Sequence, residues 1–302
     1  MSRLLVLGNA GLDIGLGLPR LPRAGETLVG TARGSLPGGK GLNQAVVACR
    51  SRLLPVAFLA PLGGDAEGAK VAAALAAEGF ASLDLPRPGP PTDYSLLMVM
   101  PDGENSIVTA GACAAALTET AAVEAVSAVA PGGWLLLQGN LSPLATAAAC
   151  EAARSRGVMV MLNTAPLPWD LRPVLPFCAV AVANAEEAAA LTGCTGAAAA
   201  AGLRRLGAAV AIVTLGARGC AVATADGVRT WPAPAVTMVD STGAGDTFCG
   251  VLAACLAAGR TLDASVGAAQ RAAALSVQRP GCFAALPNAA ELAGILADRP
   301  AA

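Results

Sequence analysis

The chain has 302 residues, of which 55% are hydrophobic and 14% charged, whereas about 25% are charged in typical globular proteins. A chain this long and apolar can bury a sizeable core in one large or two smaller domains, which excludes disorder as its dominant state. It contains no histidine, so triads with an imidazole base and HExxH metal sites are excluded. Any catalysis would depend on carboxylates, Lys, Arg, hydroxyls, backbone amides or a bound cofactor.

Charge and cysteine content narrow the possible partners. Lys and Arg number 20, Asp and Glu number 21, and aromatic residues make up 3% of the chain, which disfavours nucleic acid as a partner. The nine cysteines are odd in number and never spaced CxxC, so we expect neither disulfides nor zinc, and a reducing cytoplasm. No apolar stretch is long enough to span a membrane, and polar residues interrupt the apolar N-terminus too early for a signal peptide.

Short apolar runs alternate with Ala-rich stretches along the chain. The runs predict buried strands at Arg3–Gly8, Val56–Leu62, Trp134–Gly139, Val158–Asn163, Cys178–Ala183, Val210–Leu215 and Cys220–Thr224. The Ala-rich stretches predict helices at Gly41–Arg52, Ala66–Glu78, Thr118–Ala130, Leu144–Arg156, Glu186–Thr192 and Ala197–Leu206. This alternation predicts an α/β protein whose mostly parallel sheet carries helices on both faces.

Two segments break the alternation. Leu18–Ser35 is rich in Pro and Gly around a short extension at Glu26–Val29, and Tyr94–Met100 with Asn105–Thr109 reads as a hairpin. Strands inserted in this way either pair into a small sheet over the ligand face or form ordinary surface hairpins. On the first alternative the lid segments are about residues 14–35 and 93–109.

A glycine-rich string fits one nucleotide-binding motif only in part. Gly34–Gly41 matches the Walker A pattern until Gly41, which replaces the hydroxyl that would hold magnesium. No apolar strand precedes this string, so we reject a P-loop, and the GxGxxG spacing of a dinucleotide fold is missing. In Gly38–Ala45, GGKGLNQA, two glycines precede Lys40 and Asn43 at a helix start. This pattern predicts close backbone approach to a polyhydroxylated ligand, with a plain glycine turn as the alternative.

The most informative string is Val239–Gly250, VDSTGAGDTFCG. Its small residues Gly243–Gly245 precede an apolar helix that runs to about Ala258, and free amides at such a helix start form an anion hole for a phosphoryl group. Asp246 lies in the first turn, where a carboxylate could merely stabilise the helix by about 0.3–1 kcal/mol. Since an unneeded anion would repel phosphate, we interpret Asp246 as the base for an incoming hydroxyl.

Two weaker strings lie upstream. Asn184-Ala185-Glu186-Glu187 follows a predicted strand, and its oxygens suit magnesium or its waters, although Asn before Glu is also common helix capping. Thr214–Cys220 joins two predicted strands by a glycine turn, which is either part of a nucleotide site or a plain hairpin.

Taken in order along nearly the whole chain, these strings resemble the ribokinase-like sugar kinases of the PfkB family. Gly38–Ala45 resembles the family's GGKGANQA, and Asp240–Gly250 resembles its DTTGAGDTFNG. Supporting matches are Asn184-x-x-Glu187, Thr214-x-Gly216-x-x-Gly219, Asp102-Gly103-Glu104-Asn105 and Gly63-Gly64-Asp65. The resemblance implies a single domain over residues 1–302, with a three-layer α/β/α ribokinase-like fold and a small β-sheet lid. The implied activity is transfer of the γ-phosphate of ATP to a hydroxyl of a small carbohydrate.

The resemblance also implies individual roles. Asp246 would be the catalytic base, and the anion hole would be formed by Gly243, Ala244 and Gly245. The implied sugar-binding residues are Asp13, Gly38, Gly39, Lys40, Asn43 and Asn140. The implied ATP-binding residues are Asn184, Thr214, Gly216, Gly219, Gly243 and Gly245. Glu187 would serve Mg²⁺ through water, and a K⁺ site would be formed by Asp240, Thr242, Ser276 and Gly281. Dimerisation through the lid is a habit of the family.

Three departures from the ribokinase pattern bear on the ligands. Gly11 replaces an asparagine of the family's GSxNxD, Asn140 stands where ribokinases place a sugar-binding glutamate, and Ala285 replaces a serine of the potassium loop. The phosphoryl-transfer residues are intact, but the identity of the sugar stays open. Two alternatives also remain, a nucleoside kinase of the same fold and a sugar or nucleotide sensor without catalysis.

Overall fold

A computed structural model of the chain describes residues 2–101 and 105–297. Within these ranges the strands are β1 (Ser2–Leu7), β2 (Gly11–Gly17), β3 (Thr31–Gly38), β4 (Val56–Leu59), β5 (Ser82–Asp84), β6 (Asp93–Val99), β7 (Asn105–Ala110), β8 (Val129–Gln138), β9 (Met159–Asn163), β10 (Cys178–Asn184), β11 (Val210–Thr214), β12 (Cys220–Thr224) and β13 (Gly227–Trp231). The α-helices are α1 (Lys40–Arg50), α2 (Ala66–Ala76), α3 (Ala112–Ala115), α4 (Glu119–Ser127), α5 (Pro143–Ser155), α6 (Ala185–Thr192), α7 (Gly196–Arg205), α8 (Ala244–Ala257), α9 (Leu262–Ser276) and α10 (Ala289–Ala297).

The central sheet contains nine of the described strands, in the order β13-β12-β11-β10-β9-β8-β1-β4-β5. Its strands pair in parallel except at β12 and β13, which close one edge as antiparallel strands. All seven predicted strands belong to this sheet. The edge strands β5 and β13 escaped prediction because they are short and largely exposed, and therefore lack an apolar run.

Helices cover both faces of the central sheet. In β1, Leu4 and Val6 point to a core cluster that includes residues of α1, α2, α8, α9 and α10. Leu5 and Leu7 point to the opposite cluster, which includes residues of α4, α5, α6 and α7. Successive side chains of a strand alternate between faces, so the fully apolar β1 is explained by burial on both sides. The predicted three-layer α/β/α arrangement is confirmed.

The smaller sheet is a four-stranded lid in the order β3-β2-β6-β7. The predicted hairpin is present as β6 and β7, while residues 102–104 of its turn, and with them most of the Asp102–Asn105 string, lie outside the described residues. The predicted extension at Glu26–Val29 is wrong, because these residues form no strand. The lid strands flank it instead, as β2 and β3.

Glycines concealed the lid strands in the sequence, since glycine disfavours a strand. In β2, a Cβ on Gly15 would lie 2.9 Å from Arg33 Cβ, and a Cβ on Gly17 would lie 3.0 Å from Arg33 Nε. The two glycines therefore leave room for the Arg33 side chain to cross the sheet.

The topology brings the predicted site to one edge of the central sheet. Strands β1, β8, β10 and β11 all end at this edge, as expected for ligand sites of parallel α/β sheets. Helices α1 and α8 begin here and pack closely, because a Cβ on Gly250 would lie only 2.5 Å from the carbonyl oxygen of Gln44. No helix within residues 2–101 and 105–297 is long and apolar enough to cross a membrane.

Candidate active site

The start of α1 is built around the predicted glycines and around Asn9, which was not predicted as a site residue. Gly39 precedes the helix with φ of 105°, a conformation that favours glycine. Asn9 Oδ1 accepts a hydrogen bond from Gly41 N at 3.1 Å, and the Asn9 carbonyl accepts one from Leu42 N at 2.9 Å. A Cβ on Gly38 would lie 2.2 Å from the carboxyl carbon of Asp13. The predicted sugar-binding residues Gly38 and Asp13 are therefore in direct contact.

The start of α8 has the geometry expected of an anion hole. Gly243 adopts a left-handed conformation with φ of 79°, and a Cβ there would lie 2.5 Å from Cys282 Sγ. The amide of Ala244 donates to the Ser241 carbonyl at 3.2 Å, so it is already engaged in the turn. Around Gly245 the space is open, with no heavy atom within 4 Å of a built Cβ. Gly245 therefore offers the most accessible backbone at this helix start.

Asp246 occupies the centre of the site. Its side chain is 7% exposed. Asn43 Nδ2 donates to its Oδ2, and Gln44 Nε2 donates to its Oδ1, each at 3.0 Å. Asn43 Nδ2 also lies 3.0 Å from Cys282 Sγ, whereas Asn43 Oδ1 is buried without a partner among the described residues. Both carboxylate oxygens thus accept hydrogen bonds from side-chain amides of α1. Beside them, the buried Asn43 Oδ1 accepts no hydrogen bond from the described residues.

Two charged residues share this environment. Burial, and then the Asp246 carboxylate, raise the pKa of Asp13 to about 6, against a hydrogen bond from Ser95 and the charge of Lys40. Burial disfavours the charge of Lys40, but the carboxylates of Asp246 and Glu187 outweigh it and raise the pKa of the ammonium. Lys40 is therefore a cation between the predicted base and the predicted phosphate region.

Two cavities meet at the segment 240–245. The first, which we call the groove, has a volume of about 460 Å³ and is lined by residues that include Thr214, Gly216, Gly219, Ser241, Ala244 and Gly245. The second, which we call the cleft, has a volume of about 270 Å³ and is lined by residues that include Asp13, Arg33, Asp240, Thr242, Gly281 and Cys282. The groove has the size of a small-molecule site. The groove thus brings the predicted nucleotide residues Thr214, Gly216 and Gly219 together with Ala244 and Gly245 of the predicted anion hole, but Asn184 does not line it. The predicted sugar residue Asp13 lines the cleft.

Asn184 and Glu187 form a capping box at the start of α6. Asn184 Oδ1 accepts from Glu187 N at 2.8 Å, and Glu187 Oε2 accepts from Asn184 N at 3.0 Å and from Thr164 Oγ1 at 3.1 Å. No group of three or more His, Cys, Asp or Glu able to hold a metal occurs within the described ranges. The donor set fits Mg²⁺ only as an ion held mainly by substrate phosphates and water, with Glu187 as one carboxylate partner.

The predicted potassium residues are close in space. Asp240 Oδ1 accepts from Thr242 N and its Oδ2 from Gly281 N, each at 2.9 Å. Burial acts to raise the pKa of Asp240, but hydrogen bonds from Thr242 and Gly281 and the charge of Arg33 outweigh it and lower the pKa, so the negative charge is retained. Ser276 donates its hydroxyl proton to the Ala273 carbonyl at 2.9 Å. Carboxylate and carbonyl oxygens suit a hard cation, and the donors present are compatible with K⁺.

Asn140 is one of the predicted sugar-binding residues. It follows β8, and its Oδ1 is buried with no hydrogen-bond partner within residues 2–101 and 105–297. Sequence reasoning also missed two residues behind Asp246, Gln44 and Gln138, and two on the cleft wall, Arg33 and Cys282. The signal for Gln138 was a lone amide at the end of an apolar strand, and Gln44 lay inside the quoted glycine-rich string.

Fold and site together define a kinase-type phosphotransferase, and comparison with known proteins specifies the family. The profile described as pfkB family carbohydrate kinase matches residues 1–289. The chain is 32% identical to a ribokinase of Arabidopsis thaliana, over 94% of this chain and 78% of that protein, and 31% identical to a ribokinase of Haemophilus influenzae, over 95% and 96%. The solved structure of the Arabidopsis thaliana ribokinase with ribose and ATP superposes with a TM-score of 0.85 at 29% identity, covering 99% of both chains.

This chain belongs to the pfkB family of carbohydrate kinases. The predicted fold is confirmed, and so is the predicted activity of an ATP-dependent phosphotransferase that acts on a sugar hydroxyl.

Proposed function

We propose that this kinase binds ATP in the groove and a small sugar in the cleft, and that Asp246 is the base of the transfer. The observation that carries the proposal is the position of Asp246, buried in the first turn of α8 directly after the segment shared by both cavities. Phosphoryl transfer depends on alignment and charge neutralisation more than on covalent chemistry by the protein. A carboxylate between two ligand cavities meets that requirement without histidine.

The residues of the chain have distinct tasks in this proposal. Asp246 accepts the proton of the sugar hydroxyl while the hydroxyl oxygen forms a bond to the γ-phosphorus of ATP. The bond between that phosphorus and the oxygen bridging the β- and γ-phosphates breaks, and ADP leaves. The amides at Gly243–Gly245 and the Lys40 ammonium stabilise the charge that develops on the phosphoryl oxygens. A single such donor contributes about 2.7–4 kcal/mol in other enzymes. Gly245 contributes most in this arrangement because the space around it is open, whereas the Ala244 amide already has an acceptor.

The sugar would be held by Asp13, Gly38, Gly39, Lys40 and Asn43, with Asn140 as a further contact. The unfilled Oδ1 atoms of Asn43 and Asn140 support this, because buried polar atoms without partners are rare unless a ligand or water satisfies them. The fold requires glycine at position 11, because a Cβ there would lie 2.1 Å from the Asp93 carbonyl oxygen. The asparagine of the family's GSxNxD pattern is therefore absent here, and the identity of the sugar stays open. The Arabidopsis relative solved with ribose makes a pentose the first candidate.

The nucleotide would lie in the groove, against Thr214, Gly216 and Gly219, with Asn184 towards its phosphates. Gly219 is required where it stands, because a Cβ would lie 1.8 Å from the Trp231 carbonyl oxygen. Mg²⁺ bound to the phosphates would neutralise part of their charge, with Glu187 as its protein partner through water. K⁺ would lie at the Asp240 loop described above.

Two further features of the proposal concern the whole protein. We place the enzyme in the cytoplasm, supported by nine cysteines that are all unpaired. We also propose a homodimer formed through the lid, supported by exposed apolar side chains there, Tyr94 at 48% and Val108 at 60%.

The test of the function is sugar-dependent release of ADP from ATP. The purified protein is assayed with ribose and other pentoses, hexoses, keto-sugar acids and nucleosides, and the phosphorylated product is identified by ³¹P NMR. We expect turnover with at least one small sugar and little with nucleosides, because no aromatic clamp for a base lines the described part of the cleft except Phe283. ATP binding without turnover on any acceptor would overturn the proposal in favour of a sensor.

A further inference from the structure

Behind the proposed base, the structure contains a chain of buried side-chain amides that spans three elements. Gln138, at the end of β8, donates from Nε2 to Gln44 Oε1 at 2.9 Å. Gln44, in α1, donates from Nε2 to Asp246 Oδ1 at 3.0 Å. Both glutamines are 0% exposed, so neither can contact solvent or substrate directly. We propose that Gln138 and Gln44 act together as positioning residues, which hold the Asp246 carboxylate in the orientation that receives the sugar proton.

The orientation of the Gln44 amide is the central step. A glutamine side chain can rotate by half a turn and exchange its carbonyl oxygen with its NH₂ group. In the rotated form, Gln44 would present a carbonyl oxygen to the Asp246 carboxylate, which is repulsive. Because Gln138 donates to the Gln44 oxygen, it stabilises the form in which Gln44 donates to Asp246. Gln138 therefore acts on the base through Gln44.

The Gln138 side chain fits beside β1 only because residue 8 is glycine. A Cβ on Gly8 would lie 1.9 Å from Gln138 Oε1. That oxygen is itself buried without a hydrogen-bond partner among the described residues. Burial of an unpaired polar atom destabilises a fold, and an apolar side chain of similar size would avoid that cost. Packing alone therefore does not explain why residue 138 is a glutamine. Its NH₂ group does have a role, because it donates to Gln44.

The consequence for Asp246 is that its two oxygens are held differently. Oδ1 faces Gln44, which is fully buried, and Oδ2 faces Asn43, whose Nδ2 also reaches Cys282 on the cleft wall. Oδ2 is therefore the oxygen available to the substrate. The charged and titratable groups that act on this carboxylate are Lys40, Asp13, Cys249 and Cys282. None of them contacts Oδ1, so its orientation depends on Gln44.

The inference rests on the proposed role of Asp246, and three variants test it. Gln44→Leu removes the donor to Oδ1, Gln138→Leu removes only the partner that orients Gln44, and Gln44→Glu keeps the shape but adds a second carboxylate. Ser265→Ala is the control, because Ser265 is also 0% exposed and hydrogen-bonded but lies in α9, outside the site. Thermal unfolding monitors the fold of each variant, and kcat, KM and the pH profile of kcat/KM are measured.

We expect Gln44→Leu to lower kcat by about 10- to 100-fold with little change in KM, since small misplacement of a reacting group costs up to about 100-fold. Gln138→Leu should lower kcat less, by about 3- to 10-fold, and it still tests the inference if Gln44→Leu fails to fold. Gln44→Glu should move the acidic limb of the pH profile to higher pH, because like charges disfavour ionisation. A purely structural role would lower thermal stability without moving that limb.

The inference is overturned if the folded variants keep kcat within about twofold of the wild type and Gln44→Glu leaves the pH profile unchanged. This failure is distinguishable from failure of the proposed function. If Asp246→Asn abolishes turnover while the folded glutamine variants keep kcat within about twofold of the wild type, only the positioning role is wrong. If Asp246→Asn retains turnover, the base itself is wrongly assigned.

Discussion

At the scale of single residues, Asp13 is a carboxyl group whose protonation changes close to neutral pH. Its pKa of about 6 results from burial first and from the Asp246 carboxylate second. As the pH rises through about 6 the carboxyl becomes ionised, and an ionised carboxylate accepts a hydrogen bond from a sugar hydroxyl more strongly. We therefore expect KM for the sugar to fall several-fold between about pH 5 and pH 7. Steady-state kinetics across this range, with Asp13→Asn as comparison, check the prediction, and a dependence that persists in Asp13→Asn contradicts it.

The same raised pKa has a defined sign for stability. Between about pH 4 and pH 6 the folded protein binds more protons at Asp13 than the unfolded chain does, so this group's contribution to folding stability is lost as the pH rises. Substrate binding and folding stability therefore respond to Asp13 in opposite directions.

Single residues also show how far sequence reasoning reaches. Asp246 and the small residues at 38–39 and 243–245 belong to short local strings, and the structure places each string at a helix start by the cleft or groove. The partnership of Gln138, Gln44 and Asp246 joins residues 94 and 202 positions apart in sequence. No local pattern contains that information, because it arises only when β8, α1 and α8 pack together.

At the scale of elements, the contact between α1 and α8 holds the proposed base Asp246 against its amide partners in α1. Glycine in a helix interior normally destabilises by about 0.5–1 kcal/mol relative to alanine. At Gly250, however, an added Cβ would lie 2.5 Å from the Gln44 carbonyl oxygen and 3.1 Å from Val47 Cβ. We expect Gly250→Ala to lower the free energy of unfolding by about 1–3 kcal/mol through overpacking, and to lower kcat by displacing Gln44.

The matched control is Gly294→Ala in α10, where no heavy atom lies within 4 Å of the built Cβ. There the same substitution should stabilise the protein by about 0.4–1 kcal/mol. Urea unfolding of both variants measures the difference. Equal effects of the two substitutions would show that the α1–α8 contact is not tight.

Elements also separate what the sequence could and could not predict. The strands of the central sheet are continuous apolar runs because both faces are buried, and all seven predicted runs are strands in the structure. The lid strands β2 and β3 are rich in glycine and partly exposed, so composition favoured a loop. Strand β2 pairs with β3 and also with β6, which is far away in sequence, so the strand character of this region depends on a long-range contact.

At the scale of the whole molecule, the lid has an unpartnered apolar surface. Tyr94 and Val108 lie on the same face of the sheet, since Tyr94 is opposite Ala110 and Leu96 is opposite Val108. We expect the protein to sediment as a dimer, and Val108→Glu to shift it to monomer, because an unpaired charge in an apolar interface is costly. Val123→Glu, on α4, is the control and should leave the dimer intact. Analytical ultracentrifugation of the three proteins decides, and a monomeric wild type contradicts the proposed lid interface.

We propose that the two cavities and the lid form one reaction chamber, and the whole account depends on Asp246. The most direct test is to measure kcat of Asp246→Asn and to follow its binding of ATP by calorimetry. The control is Asp226→Asn, which changes an exposed turn residue between β12 and β13. The account predicts that Asp246→Asn binds ATP with near-normal affinity but loses about 100- to 10,000-fold in kcat, the range expected for a general base. Near-wild-type sugar phosphorylation by Asp246→Asn would contradict it.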